Sequence, residues 1–207
     1  MIIRRLLGAI VALFIAGSAG AQTISGLDLE NTLYLDLAGG RVVIEMYPDA
    51  APNHVKRVKE LVRQGFYNGL TFHRVIEGFM AQTGDPNGDG TGGSGQNLEA
   101  EFNDRLHMRG AVSMARANDP NSADSQFFIC LAPALHLDGQ YTVWGRVVSG
   151  MQFVDQIKRG EGPAFVQYGE PDKIIHMAVA ADAENGADDQ AQNTVENSPE
   201  NSGDDAN

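Results

Sequence analysis

The sequence predicts a mainly β fold, a closed antiparallel barrel capped by two α-helices. Three observations carry that prediction. Glycine is frequent, at 24 of 207 residues, and the apolar runs are short, which suits a turn-rich β architecture better than a helical bundle. Two alternating runs, 31–37 and 41–47, flank Ala38-Gly39-Gly40 and read as a hairpin. Only two segments repeat their apolar residues at helical spacing.

Taken in order, the second run of the hairpin places Val42, Ile44 and Met46 on one face, because successive strand side chains alternate. Pro52 opens a helix in which Val55, Val58, Leu61 and Val62 recur on one side, and Gly65 stops it. Short strands are expected at 70–76, 110–115, 125–131, 142–148 and 174–179. A second helix starts at Ser149 or Gly150, turns Met151, Val154 and Ile157 inward, and ends at Gly160.

The two ends differ from this body. Arg4 and Arg5 precede an apolar stretch at 6–16, and Ala19-Gly20-Ala21 supplies the small-x-small pattern of a cleavage site before Gln22. That stretch falls short of the ~20 apolar residues that span a bilayer. Residues 1–21 therefore read as a signal peptide, 22–180 as the working domain and 181–207 as a tail. The expected location is outside the cytoplasm, in the periplasm, with no stable membrane insertion after cleavage. The tail holds eight acids and neither lysine nor arginine, two thirds of the net charge of -12. So polar a segment cannot offset its chain entropy by burial and is expected to be disordered. No basic patch appears, which argues against nucleic acid as a partner. Nothing in the sequence speaks against a monomer.

Several chemistries lack their residues. The glycine-rich 88–95 run has no Lys-Ser/Thr ending for a phosphate cradle, and no nucleophile elbow encloses a serine. The five histidines, His54, His73, His107, His136 and His176, have no metal-ligand spacing. Cys130, the single cysteine, lies in the apolar run Phe127-Phe-Ile-Cys-Leu131 without the electropositive surroundings of a reactive thiol. No metal and no cofactor is expected.

Phe72-His-Arg-Val-Ile-Glu-Gly-Phe-Met-Ala-Gln82 is the segment with chemical promise. Read as a strand, it sets Phe72, Arg74 and Ile76 on one side, a poor place for a cation unless it is partnered or functional. Phe79, Met80 and Gln82 follow the turn at Gly78. One arginine, soft apolar side chains and an amide can build a small apolar pocket with a hydrogen-bonding rim, but an ordinary core strand with a salt-bridged arginine would have the same composition.

This segment resembles the signature of the cyclophilin family of peptidyl-prolyl isomerases. Further blocks match in order: Gly84-Asp85, Gly90-Thr-Gly-Gly93, Glu101-Phe102, Gly110-Ala-Val-Ser-Met-Ala115, Asp124-Ser-Gln-Phe-Phe-Ile129, Leu137-Asp-Gly139 and Val143-Trp-Gly-Arg146. The resemblance runs from about Thr32 to Ala180. It implies an eight-stranded antiparallel barrel closed by two helices, and isomerisation of X-Pro bonds in unfolded or flexible, proline-containing polypeptides. By the same resemblance Arg74 is the catalytic arginine, and Gln82 and Gln126 hold the substrate backbone and position it. Phe79, Met80, Phe128 and Leu137 receive the proline ring. Ala115 and Ala117 border the residues before the proline, and Gly90 belongs to the adjoining loop.

Three positions depart from the best-known members. His136 replaces a tryptophan that contributes to cyclosporin binding, which implies a rim residue and weak binding of the drug. Tyr141 stands where many members have histidine and still closes the ring pocket with a hydroxyl to offer. Arg116 replaces an asparagine; either it biases substrates towards acidic or neutral residues near the proline, or it is a solvent-exposed arginine with no preference. Two other roles fit the same resemblance, a proline-segment binding module and an envelope chaperone with little turnover. Retention of Arg74, Phe79, Met80, Gln82, Gln126 and Phe128 favours the enzyme.

Overall fold

The computed structural model describes residues 26–160 and 170–183. The expected signal peptide and most of the expected acidic tail lie outside them. Eight antiparallel strands form one sheet: β1 (Thr32–Leu37), β2 (Gly40–Met46), β3 (Arg74–Ile76), β4 (Met80–Thr83), β5 (Ala111–Met114), β6 (Phe127–Cys130), β7 (Val143–Ser149) and β8 (His176–Val179). Their order is β3-β4-β6-β5-β7-β2-β1-β8. Helix α1 (Pro52–Arg63) follows β2, and a single turn, α2 (Met151–Val154), follows β7.

Period-two alternation divides the sheet into two apolar faces. From β6, Phe127 and Ile129 enter the interior cluster while Phe128 and Cys130 enter a second cluster on the opposite face. In β5, Val112 and Met114 face inward and Ala111 outward; in β4, Ala81 and Met80 divide in the same way. Val42, Ile44 and Met46 of β2 share the interior face as expected, and α1 covers that interior with Val55, Val58, Leu61 and Val62. Register shifts at Val43/Ile44 and Val112/Ser113 mark bulges that curve the sheet round its interior.

The expected closed barrel needs correcting. No ladder joins β3 to β8, so the curved sheet is open, with those two strands as its edges. The segments just ahead of them do meet: Gly69 N–H donates to the Ile174 carbonyl at 2.7 Å, Phe72 N–H to Asp172 at 2.9 Å and Ile174 N–H to Leu70 at 2.9 Å. Thr71 and Lys173 form one isolated bridge there. Strand geometry fails along 70–73 because Gly69 sits at φ +81° and β3 itself is only three residues long. For the same reason Phe72 does not share a face with Arg74. It turns into the interior with Val75, and only Arg74 and Ile76 keep the expected side.

The second helix is shorter than its apolar spacing suggests. After Val154 the chain tightens into i→i+3 bonds, Gln156 to Phe153 and Ile157 to Val154. Val154 and Ile157 are still buried. At the far end, residues 180–183 are helical, and Arg63 holds the Asp182 carboxylate at 2.8 Å.

Candidate active site

The outward face of β3, β4 and β6 carries the site. Register sets Arg74 opposite Gln82 and Gln82 opposite Phe128, so three adjacent strands contribute neighbouring side chains. The turn 77–79 lifts Phe79 over this face, and Gly84 ends β4 at φ +88°. A Cβ on Gly84 would collide with the Ser125 carbonyl oxygen, so this close approach of two strands requires glycine.

A one-way hydrogen-bond chain fixes the polar side chains. Arg74 Nη1 donates to Gln82 Oε1 at 3.3 Å, and Gln82 Nε2 donates to Gln126 Oε1 at 2.9 Å. Gln126 Nε2 in turn donates to the carbonyls of Gly90 at 3.1 Å and Gly92 at 2.8 Å. A guanidinium cannot accept and a carbonyl cannot donate, so the two ends settle the orientation of both amides. Among the described residues, only Gln82 satisfies the half-buried Arg74, and none of their carboxylates lines its cavity. The sequence-based alternative, a salt-bridged core arginine, is thereby set aside. The Arg74 side chain also borders open space.

That space is a cavity of about 190 Å³ lined by Arg74, Phe79, Met80, Gln82, Ala115, Arg116, Phe128, Leu137 and Tyr141. Its floor is rigid. Phe128 meets Tyr141 edge-on at 6.0 Å and stacks on the fully buried His107 at 6.1 Å. His107 lies 2.8 Å from Asp138 through Nδ1 and 3.0 Å from the Ser113 hydroxyl through Nε2. The backbone N–H and ring of His107 hold the Asp138 carboxyl below the usual carboxylate range. Burial pushes the Cys130 thiol up to about 12, which leaves it an inert neighbour of Met80.

A second cavity of about 280 Å³ adjoins the first and shares Gln82, Ala115 and Arg116 with it. Gly90, Ala117 and Gln126 line this one, together with Thr91, Gly92, Gly93, Asn97, Ser122 and Asp124. The buried Asp85 carboxylate organises its loop by accepting the N–H groups of Asn87, Asp89 and Gly90. Asp124 secures the other side through Ser94 and the N–H of Gly95. Arg116 forms the partition. Its guanidinium lies 4.5 Å over the Tyr141 ring and donates to the carbonyls of Gln140, Ala117 and Asn118.

Twelve of the thirteen residues singled out in the sequence thus line one cavity or the other. His136 does not. It is exposed on the rim, its ring 5.6 Å from Phe79. Sequence reasoning missed His107, Ser113 and the Asp85 loop. Tertiary contacts alone give His107 its place, whereas Asp85 with Asn87 and Asp89 at alternate positions was a readable turn signal.

Such a site sets an apolar cup beside one permanently charged donor. That defines the class: a site built to take an apolar group beside one fixed cationic donor.

The comparisons agree with this class. The family of cyclophilin-type peptidyl-prolyl cis-trans isomerases matches residues 32–179. A Brucella suis protein named "Probable peptidyl-prolyl cis-trans isomerase" is 52% identical over 184 residues, 83% of this chain and 94% of its own length. Peptidyl-prolyl cis-trans isomerase B of Bacillus subtilis is 46% identical over 125 residues, 59% of this chain and 87% of the relative. Among solved structures, a Hirschia baltica cyclophilin matches with TM-score 0.67 at 29% identity, over 75% of this chain and 76% of that one. A Cryptosporidium parvum cyclophilin-type isomerase, determined in the presence of the dipeptide Ala-Pro, matches with TM-score 0.66 at 26% identity, over 72% and 98%. The chain belongs to the cyclophilin-type peptidyl-prolyl cis-trans isomerase family, and isomerisation of X-Pro bonds is its activity.

Proposed function

We propose that Arg74 is the catalytic donor and that the cup of Phe79, Met80, Phe128, Leu137 and Tyr141 receives the proline ring. The observation that carries this reading is the chain Arg74–Gln82–Gln126, which starts with Arg74 and Gln82 in the cavity that forms the cup. An X-Pro amide resists rotation because resonance gives its C–N bond double-bond character, with a barrier near ~18–20 kcal/mol. The two planar isomers differ by only about 0.5–1 kcal/mol. In the twisted transition state the lone pair returns to the prolyl nitrogen. A donor aimed there stabilises the twisted form over both planar ones, the condition for catalysis. Arginine is always protonated, so the role needs no adjusted pKa. Gln82 and Gln126 position it and offer polar atoms to the substrate backbone, with Gly90, Ala115, Arg116 and Ala117 along the path of the preceding residues.

The substrates in this reading are flexible, proline-containing polypeptides, in line with the Ala-Pro dipeptide accompanying the Cryptosporidium structure. Residues 1–21 direct export and are removed, so that the enzyme assists the folding of exported proteins in the periplasm as a monomer. Cyclosporin binds weakly, because His136 offers a small ring on the rim.

The test is an isomerisation assay on an Ala-Pro tetrapeptide, wild type against Arg74→Ala. Removal of a preorganised transition-state donor lowers kcat by about 100-fold or more, with KM changed little. Equal rates for the two proteins would defeat the assignment.

A further inference from the structure

Large apolar side chains left in solvent as a group mark a surface that another molecule covers. Leu106, Met108 and Leu135 are 55%, 48% and 55% exposed. The backbone brings them together. Ala134 N–H donates to the His107 carbonyl at 2.7 Å, and Met108 N–H turns back onto the Leu106 carbonyl at 2.8 Å. This tight turn sends the His107 ring inward to Asp138 and Ser113 and leaves its two neighbours outside.

Leu135 opens the short 3₁₀ turn Leu135–Leu137, whose last residue lines the proline cup. Between them His136 lies beside the Phe79 ring. The exposed group therefore adjoins the cup through the turn Leu135–Leu137. The cations at its border are occupied: Arg105 bonds Asp49 at 3.0 Å and covers the Tyr47 ring, and Arg109 holds both oxygens of Asp155.

We propose that Leu106, Met108 and Leu135 form a shelf that takes apolar side chains of the same extended polypeptide whose proline occupies the cup. This rests on the cup being the substrate site. A client chain is the fitting occupant because the shelf continues from a surface where that chain already lies. A second copy is not, since three half-exposed side chains fall far short of the ~800 Å² per partner of a stable interface. With its flanking arginines neutralised, the shelf selects for apolar side chains, which unfolded clients expose and folded proteins bury. It would favour unfolded over folded proline segments.

The double variant Leu106→Ser, Leu135→Ser tests this, since both positions face solvent and an unchanged Tm verifies the fold. Two substrates are compared, an Ala-Pro tetrapeptide with no large apolar side chain for the shelf to take and a protein whose refolding is limited by X-Pro isomerisation. The expected result is a roughly tenfold loss of kcat/KM on the protein, arising in KM, with the tetrapeptide kcat/KM unchanged. No loss on either substrate overturns the shelf, as does an equal loss on both, which would make the leucines supports of the cup. Sedimentation showing a micromolar dimer abolished in the variant would overturn it in favour of a second copy. A parent protein inactive on the tetrapeptide would sink the reading of the cup itself, an outcome distinct from all of these.

Discussion

Gln126 shows how much of the proposed catalytic geometry can depend on one uncharged side chain. Its amide receives Gln82 on one side and holds two loop carbonyls on the other, so it joins the cup to the second cavity. Gln126→Leu keeps the volume but leaves Gln82 Nε2 and the Gly92 carbonyl without partners, and an unmade buried hydrogen bond costs about 1–3 kcal/mol. We expect kcat on the tetrapeptide to fall about tenfold, the equivalent of ~1.4 kcal/mol, with a smaller change in KM. A kcat within twofold of wild type would mean that Gln82 alone steadies Arg74. None of this is legible locally. Gln82 and Gln126 are far apart in sequence, and only the ordered blocks of the family resemblance linked them. Arg74 was legible as an anomaly, a cation among apolar residues, but its freedom from a carboxylate needed the fold.

At the level of elements, legibility followed length. The twelve-residue α1 and the hairpin strands β1 and β2 have enough periods to declare themselves. Strand β4 does not: its four residues, Met80–Thr83, are apolar twice and polar twice, and it was not read as a strand. Its end matters to the site, because Gly84 lets β4 approach Ser125 while that residue's hydroxyl donates to the Gly84 carbonyl at 2.7 Å. Gly84→Ala combines a left-handed φ with a collision against backbone, which destabilises by about 2–3 kcal/mol. Calorimetry should register a Tm lower by roughly 5–10 °C. A Tm within a degree of wild type would show that the two strands can separate freely there.

For the molecule as a whole, pH tests the interior. His73 is 6% exposed, and burial holds its pKa below the ordinary histidine value. His54 is buried and shifted the same way, although Glu101 partly opposes the shift. Such a histidine takes up its proton in the unfolded chain before the folded one. Stability is therefore full above about pH 6.5 and declines as pH falls below that value. Thermal unfolding of wild type should show Tm dropping between pH 7 and 5, and His73→Leu should flatten the drop. An equally steep decline in the variant would assign the effect elsewhere.

The open edge of the sheet also bears on how this enzyme fails. The arginine rides on a three-residue border strand, and a few backbone bonds between 69–72 and 172–174 hold that border in place. Packing holds it as well, because Phe72 and Val75 of this border are fully buried in the interior cluster. Local opening requires only that the weakest contiguous unit let go. These contacts work as a latch: if they slip, Phe72 and Val75 leave the interior together with Arg74, so on the role proposed for that arginine activity and packing should be lost together.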